Sequence, residues 1–209
     1  MDIIKETIKE LESLNVSGTL SNVLISKILY SPFTMSYVKY DDGIVGCGLA
    51  NNELKIPDDV AFIKSLLNLN VYDAIDELYS MESSVFINSL IISMVSALSH
   101  RLMNNADFLR KQGYEVESLV WPWRDLYSKF VRNTDVVALV GYASWDVPVL
   151  AEIAKEVNVT ELIDLRELEV VDFNAEESNV KIFSADKSEE VLSKADVVLI
   201  TGETLVNGS

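Results

Sequence analysis

The chain has 209 residues, of which 49% are hydrophobic. That is length for one large domain or two small ones, with enough apolar material for a packed core, so disorder is excluded as the main state. Lys and Arg number 17 against 33 Asp and Glu, a net charge of −16. The excess runs through both halves, so neither is a hidden basic module for binding a phosphate backbone. One Cys and one His are present. They exclude an intramolecular disulfide and a four-coordinate Cys/His zinc site built from one chain. The N-terminus, Met-Asp-Ile-Ile-Lys-Glu, carries charge where a secretory leader needs an apolar stretch. The expectation is a soluble, acidic, cytoplasmic protein in two parts.

From the N-terminus, Ile3, Ile4, Ile8, Leu11 and Leu14 recur at helical spacing over Asp2 to Leu14. Ser21–Ser31, Thr34–Tyr40 and Gly43–Ala50 read as three antiparallel strands, with Asp41-Asp42-Gly43 as a hairpin turn. Pro57-Asp58-Asp59 resembles a helix start, and short helices are expected over Asp59–Leu67 and Val71–Tyr79. A long helix is expected over Ser83–Met103, capped by Ser83 or Ser84. Its most apolar stretch, Val85 to Leu98, is too short to span a bilayer comfortably and reads as a core helix. Strands followed by helices make an α+β domain over residues 1–118.

Trp121-Pro122-Trp123 interrupts regular structure and marks the boundary to a second domain over 119–209. A short helix around Arg124–Arg132 carries the basic cluster Arg124, Lys129 and Arg132, which reads as a solvated helix face. Val136–Val140 is a continuous apolar run, as expected of a parallel strand buried on both faces. A helix at Val147–Val157, strands at Glu161–Leu165 and Val180–Phe183, a helix at Ser188–Ala195 and a strand at Val197–Thr201 follow. Right-handed crossovers would make this one side of a doubly wound, Rossmann-like parallel sheet, and the whole chain an α/β protein.

The most specific motif closes the chain: an apolar strand, Val197 to Ile200, runs into Thr201-Gly202-Glu203-Thr204-Leu205-Val206-Asn207-Gly208-Ser209. In open α/β sheets, ligands bind beyond the carboxyl ends of the strands, which is where Thr201, Gly202, Thr204 and Asn207 would lie. Their hydroxyls, amide and backbone N–H groups suit a polar or anionic ligand. The same residue types also make an ordinary strand-to-helix turn with Thr204 as the N-cap. This run resembles the hallmark of the family described as "putative heavy-metal chelation". The resemblance extends to Val136–Tyr142, and more weakly to Gly46-Cys47-Gly48-Leu49-Ala50 and the helix ending near Leu98. It implies an N-terminal domain like that of enolase, a C-terminal Rossmann-like domain, and a small ligand or metal in the cleft between them. Family members continue past this motif through a further strand and helix. The expectation is therefore a chain truncated at its C-terminus, with Leu205 and Val206 poorly covered.

Other candidates are graded by their chemistry. Gly141 and Tyr142 follow the first parallel strand without the full Gly-x-Gly-x-x-Gly fingerprint, and Gly141 would let a ligand approach the backbone. Asp164 ends the second parallel strand as expected, where an acid can hydrogen-bond ribose hydroxyls or pair with Arg166. Cys47, between two glycines, is either a thiol ligand or a small core residue. Ser89, Ser93, Ser96 and His100 share one helix face, as a polar seam along a cleft or as a strip of small residues for close packing. Soft metals prefer thiolate and imidazole, so Cys47 and His100 are the metal-ligand candidates, with carboxylates or a second subunit needed to complete a site. The acidic pairs Asp41-Asp42, Asp58-Asp59, Glu176-Glu177 and Glu189-Glu190 lack a base partner and read as solubility and capping devices.

The expected function is a binding protein for a small ligand, a metal ion or a metal complex, with a homo-oligomer left open and with no nucleic-acid or membrane partner. The alternative is an enzyme using a nucleotide-like or S-adenosylmethionine-like cofactor at the Rossmann edge. The charge generates one direct test. Fluorescence anisotropy at physiological salt should find no binding to labelled DNA or RNA oligonucleotides, and tight, salt-sensitive binding would contradict the electrostatic argument.

Overall fold

Alternation of inward and outward side chains fixes the first sheet. A computed structural model describes residues 3–26, 32–52, 60–116, 124–143, 145–162 and 179–207, and the side chains of residues 203 and 207 are outside that description. After helix α1 (Ile3–Ser13), strands β1 (Thr19–Ser26), β2 (Phe33–Lys39) and β3 (Val45–Asn51) pair antiparallel in that order. Leu20 of β1 points inward, as do Thr34, Ser36 and Val38 of β2 and Gly46, Gly48 and Ala50 of β3. Short helix α2 (Ile63–Leu66) and helix α3 (Val71–Tyr79) lead to the long helix α4 (Val85–Met103), which lies on that inward face. Ser84 caps α4, its hydroxyl accepting the Ile87 N–H at 3.2 Å.

The contact between α4 and the sheet is unusually close. A Cβ on Gly48 would collide with the Ser93 carbonyl and the Ala97 amide nitrogen. One on Gly46 would meet the Ala97 carbonyl and the Tyr40 hydroxyl. Hydroxyls bridge the same seam. The Thr34 hydroxyl meets Ser89 Oγ at 2.9 Å, and Ser36 meets Ser93 at 2.7 Å. Ser89 and Ser93 also donate to the carbonyls of Phe86 and Leu90 in their own helix. The Tyr40 hydroxyl reaches the Ala97 and Leu98 carbonyls at 2.9 and 3.0 Å and accepts the Arg101 N–H at 3.2 Å. Burial pushes its pKa up. Ser89 and Ser93 therefore form a packing strip buried against β2.

The whole of α4, Val85–Met103, is long and apolar enough, by length and composition, to cross a membrane, whereas the stretch Val85 to Leu98 is its most apolar part. In the structure ten of its 19 residues are buried in the protein core. Leu90 and Met94 of α4 cluster with Leu20, Val38, Ile75 and Leu78, all essentially inaccessible.

After α5 (Ala106–Lys111) and α6 (Arg124–Tyr127) comes a second, parallel sheet. It contains β4 (Val136–Val140), β5 (Glu156–Glu161), β6 (Val180–Ser184) and β7 (Val197–Ile200) in the order β6-β5-β4-β7. Helix α7 (Asp146–Ile153) joins β4 to β5, and a 3-10 turn with α8 (Ser188–Leu192) joins β6 to β7; α9 (Glu203–Asn207) follows. Val137, Leu139, Val157 and Val159 pack on one face with Leu150 and Val147 of α7. Contacts divide the chain into two compact units, residues 1–116 with 205–209, and residues 117–204.

Several expectations are corrected. The helix expected to run to Val157 ends at Ile153, and Ala154 already has an extended ψ of 159°. The strand expected from Glu161 already starts at Glu156 and runs over Glu156–Glu161, and residues 163–165 of that expectation lie outside the described residues. Helical spacing over Ala151–Val157 is overridden because Val157 and Val159 pair with Val137 and Leu139 of β4. The helix expected to reach Arg132 stops at Tyr127. The expected start at Asp59 lies outside the described residues, within which α2 is one turn long. α5 was not expected; Asn105 caps it by accepting the Phe108 N–H at 3.0 Å. Val206, expected to be poorly covered, is 4% exposed, and its carbonyl accepts a 3.0 Å hydrogen bond from the Asn88 amide. Leu205 is exposed, as expected. Trp121-Pro122-Trp123 lies outside the described residues.

The α4 seam supplies the test of this packing. Gly48→Ala should destabilise the protein by about 1–3 kcal/mol or more, because both obstructing atoms are backbone and cannot swing away. Urea unfolding measures it, and an unchanged midpoint would show that α4 has room to move.

Candidate functional site

The strand order places one structural reversal in the parallel sheet. From β4 the chain moves to β5 and then β6 on one side, and returns to β7 on the other. In open α/β sheets, a reversal of this kind is where the loops at the carboxyl ends of the two strands depart in opposite senses. Gly141 leaves β4 and Thr201 leaves β7, and the sheet continues one step beyond the strands at this point. Gly141 N–H donates to the Thr160 carbonyl at 2.9 Å, and Thr201 N–H to the Val140 carbonyl at 3.1 Å.

Gly141 is required here on two counts. Its φ is +85°, a left-handed conformation that glycine adopts without cost. The space a Cβ would take is held by the Thr201 hydroxyl. That hydroxyl is itself buried without a hydrogen-bond partner among the described residues, as are the Thr160 hydroxyl and the Asn158 carbonyl oxygen on β5. Three orphaned polar atoms in one small sheet are a cost unless something completes them.

Glu161 anchors the same edge. Its carboxylate accepts the Tyr142 N–H and the Leu162 N–H, each at 2.7 Å. It thereby ties the turn after β4 to the end of β5 with two charge-assisted bonds. Beyond the turn, Trp145 stands at the start of α7 with 76% of its surface exposed. Asp146 follows in the first turn of α7 and hydrogen-bonds Tyr127, whose pKa burial and this carboxylate push upward.

The expected site residues separate into groups. Gly141, Tyr142, Thr201 and Gly202 lie at the carboxyl edge of the parallel sheet, and a Cβ on Gly202 would meet only open space. Thr204 is inside α9 and does not cap it; its hydroxyl donates to the Thr201 carbonyl at 2.9 Å. Asp164 lies outside the described residues, as does the side chain of Asn207. The acid that ends β5 is Glu161, which the sequence reading missed. The alternation Glu-Val-Asn-Val-Thr-Glu over 156–161 was the signal that could have found it.

The two soft metal-ligand candidates are not brought together. Cys47 alternates with Gly46 and Gly48, so its side chain leaves the sheet on the face opposite α4. His100 is on α4, against the other face. Among the described residues, no group of three or more His, Cys, Asp or Glu is placed to hold a metal ion. These residues do not fit a directly chelated ion.

The turn after β4 carries its own test. Gly141→Ala should cost about 1–3 kcal/mol in urea unfolding, from the positive φ and the Thr201 hydroxyl together. Gly202→Ala, with open space around it, should cost clearly less.

Comparison with known proteins extends this geometry. Residues 128–209 match the model of the DUF364 family, described as "Putative heavy-metal chelation". The fold of the chain is similar to that of a DUF364-family protein of unknown function from Desulfitobacterium hafniense DCB-2. The TM-score is 0.62 at 17% identity, over 99% of this chain and 70% of that one. It is also similar to a DUF364-family protein of unknown function from Pyrococcus horikoshii. There the TM-score is 0.59 at 20% identity, over 100% of this chain and 71% of that one. No curated protein matches. The family match covers residues 128–209, the part of the chain that holds the parallel sheet, and both DUF364-family structures share the fold of the chain.

Proposed function

We propose that the protein binds a small ligand, an organic molecule or a metal complex, at the carboxyl edge of its parallel sheet where the turns after β4 and β7 meet. The observation that carries this reading is the buried, unpartnered Thr201 hydroxyl pressed against Gly141 at the one point where the strand order reverses. A metal would reach this edge as part of a complex held through its organic component, since the described residues offer no cluster of metal ligands. A metal on Cys47 or His100 would need donors from another molecule.

The same proposal takes the parallel sheet as a Rossmann-like domain over 119–209 and the preceding α+β domain over 1–118 as enolase-N-terminal-like. These finer points rest on the family resemblance. A cytoplasmic setting, homo-oligomerisation and the absence of nucleic-acid and membrane partners belong to the proposal too, and the charge of −16 supports excluding polyanions.

Elemental analysis of the purified protein, then a thermal-shift screen against divalent metals, metal chelates, nucleosides and S-adenosylmethionine, identifies a probe. Thr201→Val should then weaken that probe about tenfold, while stability in urea holds or rises slightly, because the hydroxyl removed had no partner in the fold. Unchanged affinity in a folded Thr201→Val protein would move the site elsewhere. Turnover of S-adenosylmethionine would move the reading to the enzyme class.

A further inference from the structure

We propose that the outward face of the antiparallel sheet is the contact surface between two copies of this chain. This gives the homo-oligomerisation proposed above a surface, and it does not depend on the ligand site. The strand register sets out the face row by row. Tyr37 stands between Asn22 and Cys47, Met35 between Leu24 and Leu49, and Phe33 between Ser26 and Asn51. Alternate residues of a strand turn to opposite faces, so α4, packed on the Gly46 and Gly48 side, covers the other face only.

The outward face is apolar and accessible. Leu24 is 43% exposed and Leu49 52%, while Phe33, Met35, Tyr37 and Cys47 are half-buried. Neither hydrophobic core includes any of these six. An antiparallel sheet with one solvated face ordinarily keeps apolar residues inside and polar ones outside. At the centre of this sheet the order is inverted. The inward positions of β2 carry Thr34 and Ser36 and those of β3 carry Gly46 and Gly48, while the large apolar side chains point out. Such a pattern fits a sheet buried on both faces, the second one by another molecule.

Charge selects that molecule. At −16, two copies of the chain repel each other unless they meet where carboxylates do not oppose one another. The three strands hold no Asp or Glu, and Lys39, at the end of β2, is their one charge. A basic partner finds no acid to pair with on this face, and an anionic membrane repels the rest of the chain. A neutral apolar face is complementary to itself, as a two-fold contact between identical chains requires. Its composition is that of an interface centre, with Phe, Met and Tyr in the middle and Asn22, Ser26 and Asn51 at the margin.

The test is sedimentation velocity of the full chain at about 1 to 500 μM. The protein should pass from monomer to dimer over this range. Raising the salt from about 0.05 to 0.5 M should favour the dimer, because screening weakens the repulsion and leaves the apolar contact. Leu49→Lys should weaken the dimer about tenfold or more and leave the urea midpoint unchanged, since Leu49 belongs to neither core. Cys47 is the sole cysteine, so its rate of labelling by a thiol reagent reports on this face alone. Labelling should slow as the wild-type protein dimerises, a series that needs no variant, and should not slow in Leu49→Lys. A monomer at every concentration overturns the proposal. A dimer that Leu49→Lys leaves intact, with Cys47 labelling unchanged, also overturns it by placing the contact elsewhere. So does a monomer that binds phosphatidylcholine vesicles through Leu49, which assigns the face to lipid. Probe binding that depends on Thr201 is measured separately, so the ligand site and the dimer face stand or fall on different results.

Discussion

The first unit depends on how closely α4 lies on its sheet. Two positions on β3 have no side chain because the backbone of α4 occupies the space. At that distance a helix and a strand cannot be separated by ordinary apolar side chains, so short hydroxyls from β2 and α4 fill the seam and satisfy one another. The proton order is consistent along it: Asn52 donates to Thr34, Thr34 to Ser89, and Ser89 to the Phe86 carbonyl. A seam of this kind has one register, since sliding α4 by a residue would bury hydroxyls without partners. The apolar residues around it supply the driving force, while the glycines and hydroxyls specify the fit.

The second unit obeys a different constraint. A parallel sheet must bury both faces, and its strands must be joined by crossovers that return to the same end. With β4 flanked by β5 and β7, its carboxyl end becomes the place where two loops part. The sequence meets that geometry with a glycine at positive φ and with a carboxylate that fixes the turn to the next strand. The orphaned Thr201 hydroxyl is then a local rule broken at the carboxyl edge of the sheet, beside Gly141. Natural sequences break such rules chiefly at functional positions.

The chelation description of the family and the donors of this chain pull apart. Cys47 and His100 are separated by the sheet and helix whose close packing defines the first unit, and moving either toward the other would dismantle that packing. The parallel edge offers hydroxyls, amides and a carboxylate, harder donors than a soft cation prefers.

The sequence by itself determined the order of the main elements and the place of one turn. Alternation along β2 and β3, the Asp41-Asp42-Gly43 turn, the Ser84 cap, the apolar run of β4 and the Thr-Gly turn after β7 are local signals, written within a few residues of where they act. Three things were decided only by tertiary structure. The end of α7 and the start of β5 were set by pairing of Val157 and Val159 with β4, against the helical spacing of their own segment. That shift made Glu161 the acid that ends β5. The role of Ser89 and Ser93, a cleft lining or a packing strip on the sequence alone, was settled by β2, more than fifty residues away in the chain. Periodicity reports which face of an element is apolar, but it carries no information about which distant segment that face will meet. Both strand register and the partners of buried hydroxyls are properties of that meeting.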